Sequence, residues 1–312
     1  MQVALNKIII IGGPTASGKS DLAIMLAKNL VKAEIINADS LQLYKNLPIL
    51  SAQPTKSTQQ LIKHHFYGIL ANDEKFSVAA WLNLVCEKIT ELQNNNITPI
   101  ITGGTGMYIY NLTNGLRKIA DVNEDIKLET NYLLQNKGLT YLYDSLQMID
   151  KNFVNLIRKS DKNRIVRYYN IYQAFKISPS DYQKIPNSKF FPDDSFINLT
   201  ILSKRQELEN AFYARLEAMF KNGAVLEVKE LLDNGVNQTY PIARTIGFKH
   251  VSEYINGKIT YKEALDNSFS DTKKYAKRQV TWFKNKNNEN VANLTSANML
   301  ELYNLFLEKY VK

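Results

Sequence analysis

The sequence predicts an α/β fold, a parallel sheet core with an inserted all-helical lobe, and three observations predict it. An apolar run at residues 8–11 leads directly into a glycine-rich turn and a helical pattern. Two further strand-like segments follow, each after a helical stretch, as in a chain that winds strand, helix, strand. From about Leu116 the pattern changes to consecutive helices, and a strand pattern resumes only at Phe196.

In chain order, "IIII" reads as a buried strand, and the residues after it match G-x-x-x-x-G-K-[ST] through Gly13, Gly18, Lys19 and Ser20. A helical pattern continues from Asp21 to Leu30. This strand–loop–helix context is what a P-loop requires, so the core is P-loop NTPase-like. Successive backbone N–H groups in such a loop point inward, Lys19 adds a positive charge, and the Ser20 hydroxyl suits Mg²⁺. The loop grips a diphosphate or the end of a triphosphate. "EIINADS" (34–40) and "TPIITGGTG" (98–106) read as the next strands, the latter after the helical "VAAWLNLVCEKITEL". His64 and His65 read as loop residues before a short strand, "FYGIL". In a parallel sheet, functional residues lie at the strands' carboxyl ends, where the P-loop, Asp39 and "GGTG" all fall.

The helices "EDIKLETNYLLQN", "LTYLYDSLQMI" and "DKNRIVRYYNIYQAF", the last N-capped by Asp161, place the lobe at 116–194, leaving 1–115 and 195–312 as the core. "FINLTIL" (196–202) returns as a strand. Two helices closed by Gly223 and Gly235 follow, then a final basic helix carrying "DTKKYAKRQVTWFKN".

The 312 residues, 45% of them hydrophobic, suffice for a large core plus an appendage. No apolar run reaches membrane-spanning length, and Met1 to Lys7 lacks the features of a signal peptide, so a cytoplasmic location without a membrane partner is expected. The single cysteine, Cys86, excludes an internal disulfide or a cysteine zinc cluster and reads as a buried small hydrophobe. Thirty-nine Lys and Arg against thirty Asp and Glu leave a net charge of +9, which suits a polyanionic partner. "NNNIT" and "KNKNNEN" read as exposed loops.

P-loop ATPases and GTPases carry an acid at the end of another strand. "TPIITGG" and "FINLTIL" have none; the carboxylate in such a position is Asp39, placed to face an acceptor and to take a proton from an incoming nucleophile. Gly103, Gly104, Thr105 and Gly106 allow close approach to a ligand, with Thr105 offering a hydroxyl. These residues alone leave a small-molecule or nucleoside kinase open, with ATP in the loop and Asp39 on an acceptor hydroxyl.

"GGPTASGKS", "INADSLQLYKNLPILSAQPT", "HHFYGIL", "FSVAAW", "ITGGTGMYI", "DKNRIVR", "YARLEAMFKNG", "RTIGFK" and "AKRQVTWFKN" together resemble bacterial tRNA dimethylallyltransferases, the tRNA isopentenyltransferase family. The resemblance implies transfer of a dimethylallyl group from dimethylallyl diphosphate to N6 of the adenosine 3′-adjacent to the anticodon, by a monomer using Mg²⁺ on Ser20. It implies that Gly13, Pro14, Thr15, Ala16, Ser17, Gly18, Lys19 and Ser20 cradle the diphosphate, and that Asp39, Thr105 and Arg215 are catalytic. From the residues alone, Arg215 is an ordinary surface helix residue.

For the tRNA anticodon stem-loop, the resemblance implies four sets of contacts beyond Thr105. Asp39, Ser40, Leu41 and Gln42 receive the extruded adenosine. Asn163, Arg164, Ile165, Val166 and Arg167 form one RNA block, and Arg244, Thr245, Ile246, Gly247, Phe248 and Lys249 another. The last is Lys277, Arg278, Gln279, Val280, Thr281, Trp282, Phe283 and Lys284, in which the cations suit phosphates and Trp282 and Phe283 read as core. Leu41, Gln53, Asn163 and Ala211 depart from the family's usual methionine, lysine, glutamine and arginine.

Overall fold

The apolar run forms strand β1 (Ile8–Gly12), and each of its isoleucines is at most 1% exposed. Burying one such side chain contributes about 1.5–3 kcal/mol, and burial on both faces is the mark of a central parallel strand. The computed structural model describes residues 7–202, 205–286, 292–294 and 299–310. After β1 come α1 (Lys19–Asn29), β2 (Ala33–Asn37), α2 (Lys56–Leu61), β3 (His64–His65), α3 (Val78–Asn94), β4 (Thr98–Gly103) and α4 (Gly106–Asn114). Helix α3 starts at Ser77, whose hydroxyl accepts from Ala80 N, and buries Trp81, Leu82, Val85, Ile89 and Leu92 at helical spacing.

The chain continues with β5 (Leu116–Arg117), α5 (Glu124–Ile149), α6 (Phe153–Leu156), α7 (Lys162–Phe175), α8 (Pro179–Lys184), β6 (Asn187–Ser188) and β7 (Phe196–Ile201). It closes with α9 (Arg205–Met219), α10 (Val225–Asp233), α11 (Phe248–Ile255), α12 (Tyr261–Lys286), β8 (Ala292–Leu294) and α13 (Met299–Tyr310). The main sheet is parallel in the order β3-β2-β4-β1-β7-β8. Strand β1 pairs with β4 on one side and β7 on the other, so the loops leaving β1, β2 and β4 open at one edge of the sheet.

The chain divides into two compact units, Met1–Thr113 with Phe190–Lys312, and Asn114–Lys189. The second unit has its own core around Leu142, Leu146, Phe153, Ile165 and Tyr168 and a short β5–β6 antiparallel ladder. Helix α5 breaks at Gly138, whose φ of 80° is left-handed, separating the two helical stretches read there. Asp161 caps α7 by accepting from Arg164 N at 3.2 Å.

Four expectations are corrected. The strand expected at 66–70 is displaced: His64 and His65 themselves pair with Ile35 and Ile36, and Leu70 makes only an isolated bridge to Tyr44. The basic helix is not the last element, because β8 adds to β7 and Phe306 of α13 enters the core beside Leu22 and Leu26. Cys86 is half-buried rather than enclosed, and desolvation pushes its thiol up to about 12, which leaves it unreactive. Part of "KNKNNEN" belongs to α12, which runs on to Lys286; residues 287–290 lie outside the described residues.

Candidate active site

The loop between β1 and α1 turns through Ala16 and Gly18, at φ 54° and 83°. Gly18 meets that second angle without strain, and no side chain caps α1. The first N–H groups of the helix are therefore left for an anion. The Lys19 ammonium donates to Pro14 O at 3.1 Å, folding back across the loop. Ser17 is buried, with its hydroxyl unpartnered.

An open cleft of about 490 Å³ lies over this loop, lined by Ala16 to Asp21, Gln42, Gln53, Tyr67, Thr102 and Arg215 among others. Arg215 reaches it from α9, so the expectation of an ordinary surface arginine gives way. Burial lowers the ammonium of Lys19 to about 8, an effect deepened by Arg215 and opposed by Asp39. Burial likewise lowers Arg215. Two desolvated cations facing one cleft are a store of positive potential that an anionic ligand relieves.

Asp39 stands in the loop after β2. Its N–H donates to Asn37 Oδ1 (2.8 Å), and its Oδ1 accepts from Leu41 N (3.1 Å). Asn37, fully buried, is fixed in turn by the Trp81 indole, which donates to its carbonyl at 3.0 Å. The Thr105 hydroxyl accepts from Ser40 N at 2.9 Å and donates to Ser40 Oγ at 3.3 Å. Thr105 N donates to Ala38 O at 3.1 Å. The loops after β2 and β4 are thus stitched together. A Cβ on Gly103 would lie 2.1 Å from the Ala38 carbonyl carbon, so no larger residue fits there.

A second, smaller cavity of about 70 Å³ is lined by Thr15, Asp39, Leu41, Arg215, Met219, Thr245, Ile246 and Tyr275, with apolar neighbours. Thr15, Asp39 and Arg215 line this cavity, and Arg215 also lines the cleft.

The loop at 39–53 is braced by Glu227, which sequence reasoning missed, and by Gln42 and Gln53, whose bracing contacts it did not show. Glu227 of α10 accepts from Ile49 N (2.7 Å) and Leu50 N (3.0 Å). The Gln42 carboxamide donates to Ser51 O and Ala52 O. Gln53 donates to Tyr44 O at 2.8 Å, which gives the departure at this position a local bracing task. Tyr67 and Tyr275 are also additions; burial raises both hydroxyls, and the Asp39 charge raises them further.

The RNA blocks split by burial. Arg244, Lys249, Lys277, Arg278 and Lys284 are exposed, as are Asn163, Arg164 and Arg167 in the second unit. Ile165, Thr245, Gly247, Phe248, Gln279 and Phe283 are buried, while Val166, Ile246, Val280 and Trp282 are half-buried. Two glycines accept the inner face of α12. A Cβ on Gly12 would lie 2.7 Å from the Phe283 ring, and one on Gly106 would lie 2.1 Å from the Trp282 indole. Trp282 and Phe283 thus pack on the core, while Thr281 is exposed and bonds back to Lys277 O.

Comparison with known proteins shows the family of the chain. A model of the IPP transferase family matches residues 42–286, and an isopentenyl transferase model matches 6–74. The chain belongs to the IPP transferase family. It is 39% identical over 277 residues to the tRNA dimethylallyltransferase of Pelagibacter ubique, covering 89% of this chain and 88% of that one. With the Rickettsia massiliae tRNA dimethylallyltransferase the identity is 38% over 280 residues, 90% of this chain and 77% of the relative. Among solved structures, the tRNA isopentenylpyrophosphate transferase of Bacillus halodurans superposes with a TM-score of 0.68 at 29% identity, over 97% of this chain and 96% of that one. A eukaryotic dimethylallyltransferase acting on tRNA gives 0.77 at 26% identity, over 89% and 69%.

Proposed function

We propose that this IPP transferase family member moves a dimethylallyl group from dimethylallyl diphosphate to N6 of the adenosine 3′-adjacent to the anticodon of tRNA. The observation that carries this reading is one carboxylate, Asp39, whose charge acts on two desolvated cations, Lys19 and Arg215, with Asp39, Arg215 and Thr15 of the P-loop lining one cavity. Such a site combines anion stabilisation with one carboxylate base.

In the proposed step the bond between the allylic carbon and the diphosphate oxygen breaks as the N6–carbon bond forms. The electron pair leaves with the diphosphate, where Lys19, Arg215 and the N-terminal N–H groups of α1 take up the growing charge. The proton leaving N6 goes to Asp39 Oδ2, because Oδ1 already accepts from Leu41 N. An exocyclic adenine amine is barely basic, so the base acts only as the new bond forms. Thr105, through Ser40, fixes the backbone that carries Asp39. Extrusion of the base exposes N6 to this carboxylate.

The site fits Mg²⁺, a hard cation that takes oxygen donors. Ser20 offers a hydroxyl, and the buried Thr102 hydroxyl, without a hydrogen-bond partner, lines the same cleft. When bound there, the ion supplies charge neutralisation on the departing diphosphate.

Asp39→Ala tests the assignment. Single-turnover transfer is expected to fall by about 10²–10⁴-fold, the usual contribution of a general base, with tRNA affinity largely kept. Near-normal rates would remove Asp39 from the mechanism.

A further inference from the structure

The sequence block that reads as an RNA contact contains one buried polar residue, turned inward beside Phe283. Gln279 is 5% exposed and sits on the inner face of α12. Its Oε1 accepts from Thr15 N in the P-loop at 2.9 Å, and its Nε2 donates to Gly104 O in the loop after β4 at 2.9 Å. These partners lie 264 and 175 residues away in sequence. One carboxamide therefore ties the loop that holds the diphosphate to the loop that, through Thr105 and Ser40, holds Asp39.

We propose that Gln279 is a positioning residue that sets the spacing between the prenyl donor and the acceptor adenosine, rather than a tRNA contact. Its chemistry fits that task. A carboxamide carries an acceptor and a donor side by side on one rigid plane, and here one end meets an N–H and the other a carbonyl. Gly104 is shaped to it: a Cβ there would lie 2.3 Å from Nε2. The Tyr275 hydroxyl, one turn earlier on the same helix, also bonds to the carboxamide. The Thr15 N–H is consumed by this link and is not a member of the diphosphate cradle. The strut also lies on the helix whose outer face carries Lys277, Arg278 and Lys284.

This inference rests on the prenyl-transfer reading, and the test separates the two. Gln279→Met keeps the side-chain length and removes both bonds; Gln279→Glu keeps the acceptor and sets a carboxylate against the Gly104 carbonyl. For each, kcat at saturation is measured beside the separate dissociation constants for dimethylallyl diphosphate and for unmodified tRNA, well below a melting temperature recorded for the same sample. We expect kcat to fall by about 100-fold, the cost of a small misplacement of reacting groups, while each ligand alone binds within about three-fold of wild type, a margin of roughly 0.7 kcal/mol. A kcat equal to wild type in either folded variant overturns the proposal, as does a fall explained by the unfolded fraction. Loss of tRNA affinity with kcat retained would return Gln279 to the RNA surface. If wild type itself transfers no prenyl group, the failure belongs to the functional reading.

Discussion

Lys19 links residue chemistry to a measurable pH dependence. Its ordinary value is 10.5, and burial with Arg215 nearby brings it to about 8. In the proposed site the charged form binds the donor's diphosphate, so affinity for dimethylallyl diphosphate in the absence of tRNA is expected to weaken as pH rises through about 8. Bound diphosphate favours the ammonium, so binding at pH 8.5 takes up protons, detectable by calorimetry in buffers of different ionisation enthalpy. Arg215→Gln removes the repulsion and moves the midpoint upward; a midpoint that stays or falls would contradict the arrangement. The P-loop was legible because its chemistry is local: Gly18, Lys19 and Ser20 are consecutive. Arg215 was not legible from the residues, because one arginine in a helical pattern does not show which cleft that helix borders. Glu227, and the bracing contacts of Gln42 and Gln279, were hidden for the same reason, since each acts on backbone that only the fold brings near.

Helix α12 presents two chemically distinct faces. Ala276, Gln279 and Phe283 recur at a spacing of three and four and are buried, while Lys277, Arg278 and Lys284 fall on the opposite face and are exposed. Lys277→Ala with Arg278→Ala should weaken tRNA binding and flatten its dependence on salt, by a slope of roughly 0.7–0.9 for each phosphate that the helix no longer neutralises. Transfer at saturating tRNA should be nearly kept. An unchanged affinity would make the helix purely structural. The alternation of faces could be read in "AKRQVTWFKN", and so could the division between aromatics and cations. Strand β8 could not, because three residues are too short to show a period and its pairing with β7 is long-range. The two-residue β3 was misplaced for the same reason.

Across the whole molecule, the α/β core was readable because parallel strands buried on both faces give apolar runs such as "IIII". The winding through β1, β2 and β4 then put the P-loop, Asp39 and Thr105 at one edge of the sheet. What the sequence withheld is the stitching of these loops to one another, through Asn37, Ser40 and Gln279. The two units differ in kind: one holds every residue assigned to prenyl transfer, and the other contributes the exposed Asn163, Arg164 and Arg167. The central claim is that the P-loop holds a leaving diphosphate and that no phosphoryl group moves. It is tested most directly by incubating the purified protein with unmodified tRNA, Mg²⁺ and isotopically labelled dimethylallyl diphosphate, with ATP in a parallel reaction, and analysing the nucleosides by mass spectrometry. The account predicts labelled N6-prenyladenosine with release of diphosphate and no dependence on ATP; unlabelled RNA together with consumption of ATP by a small acceptor would contradict it.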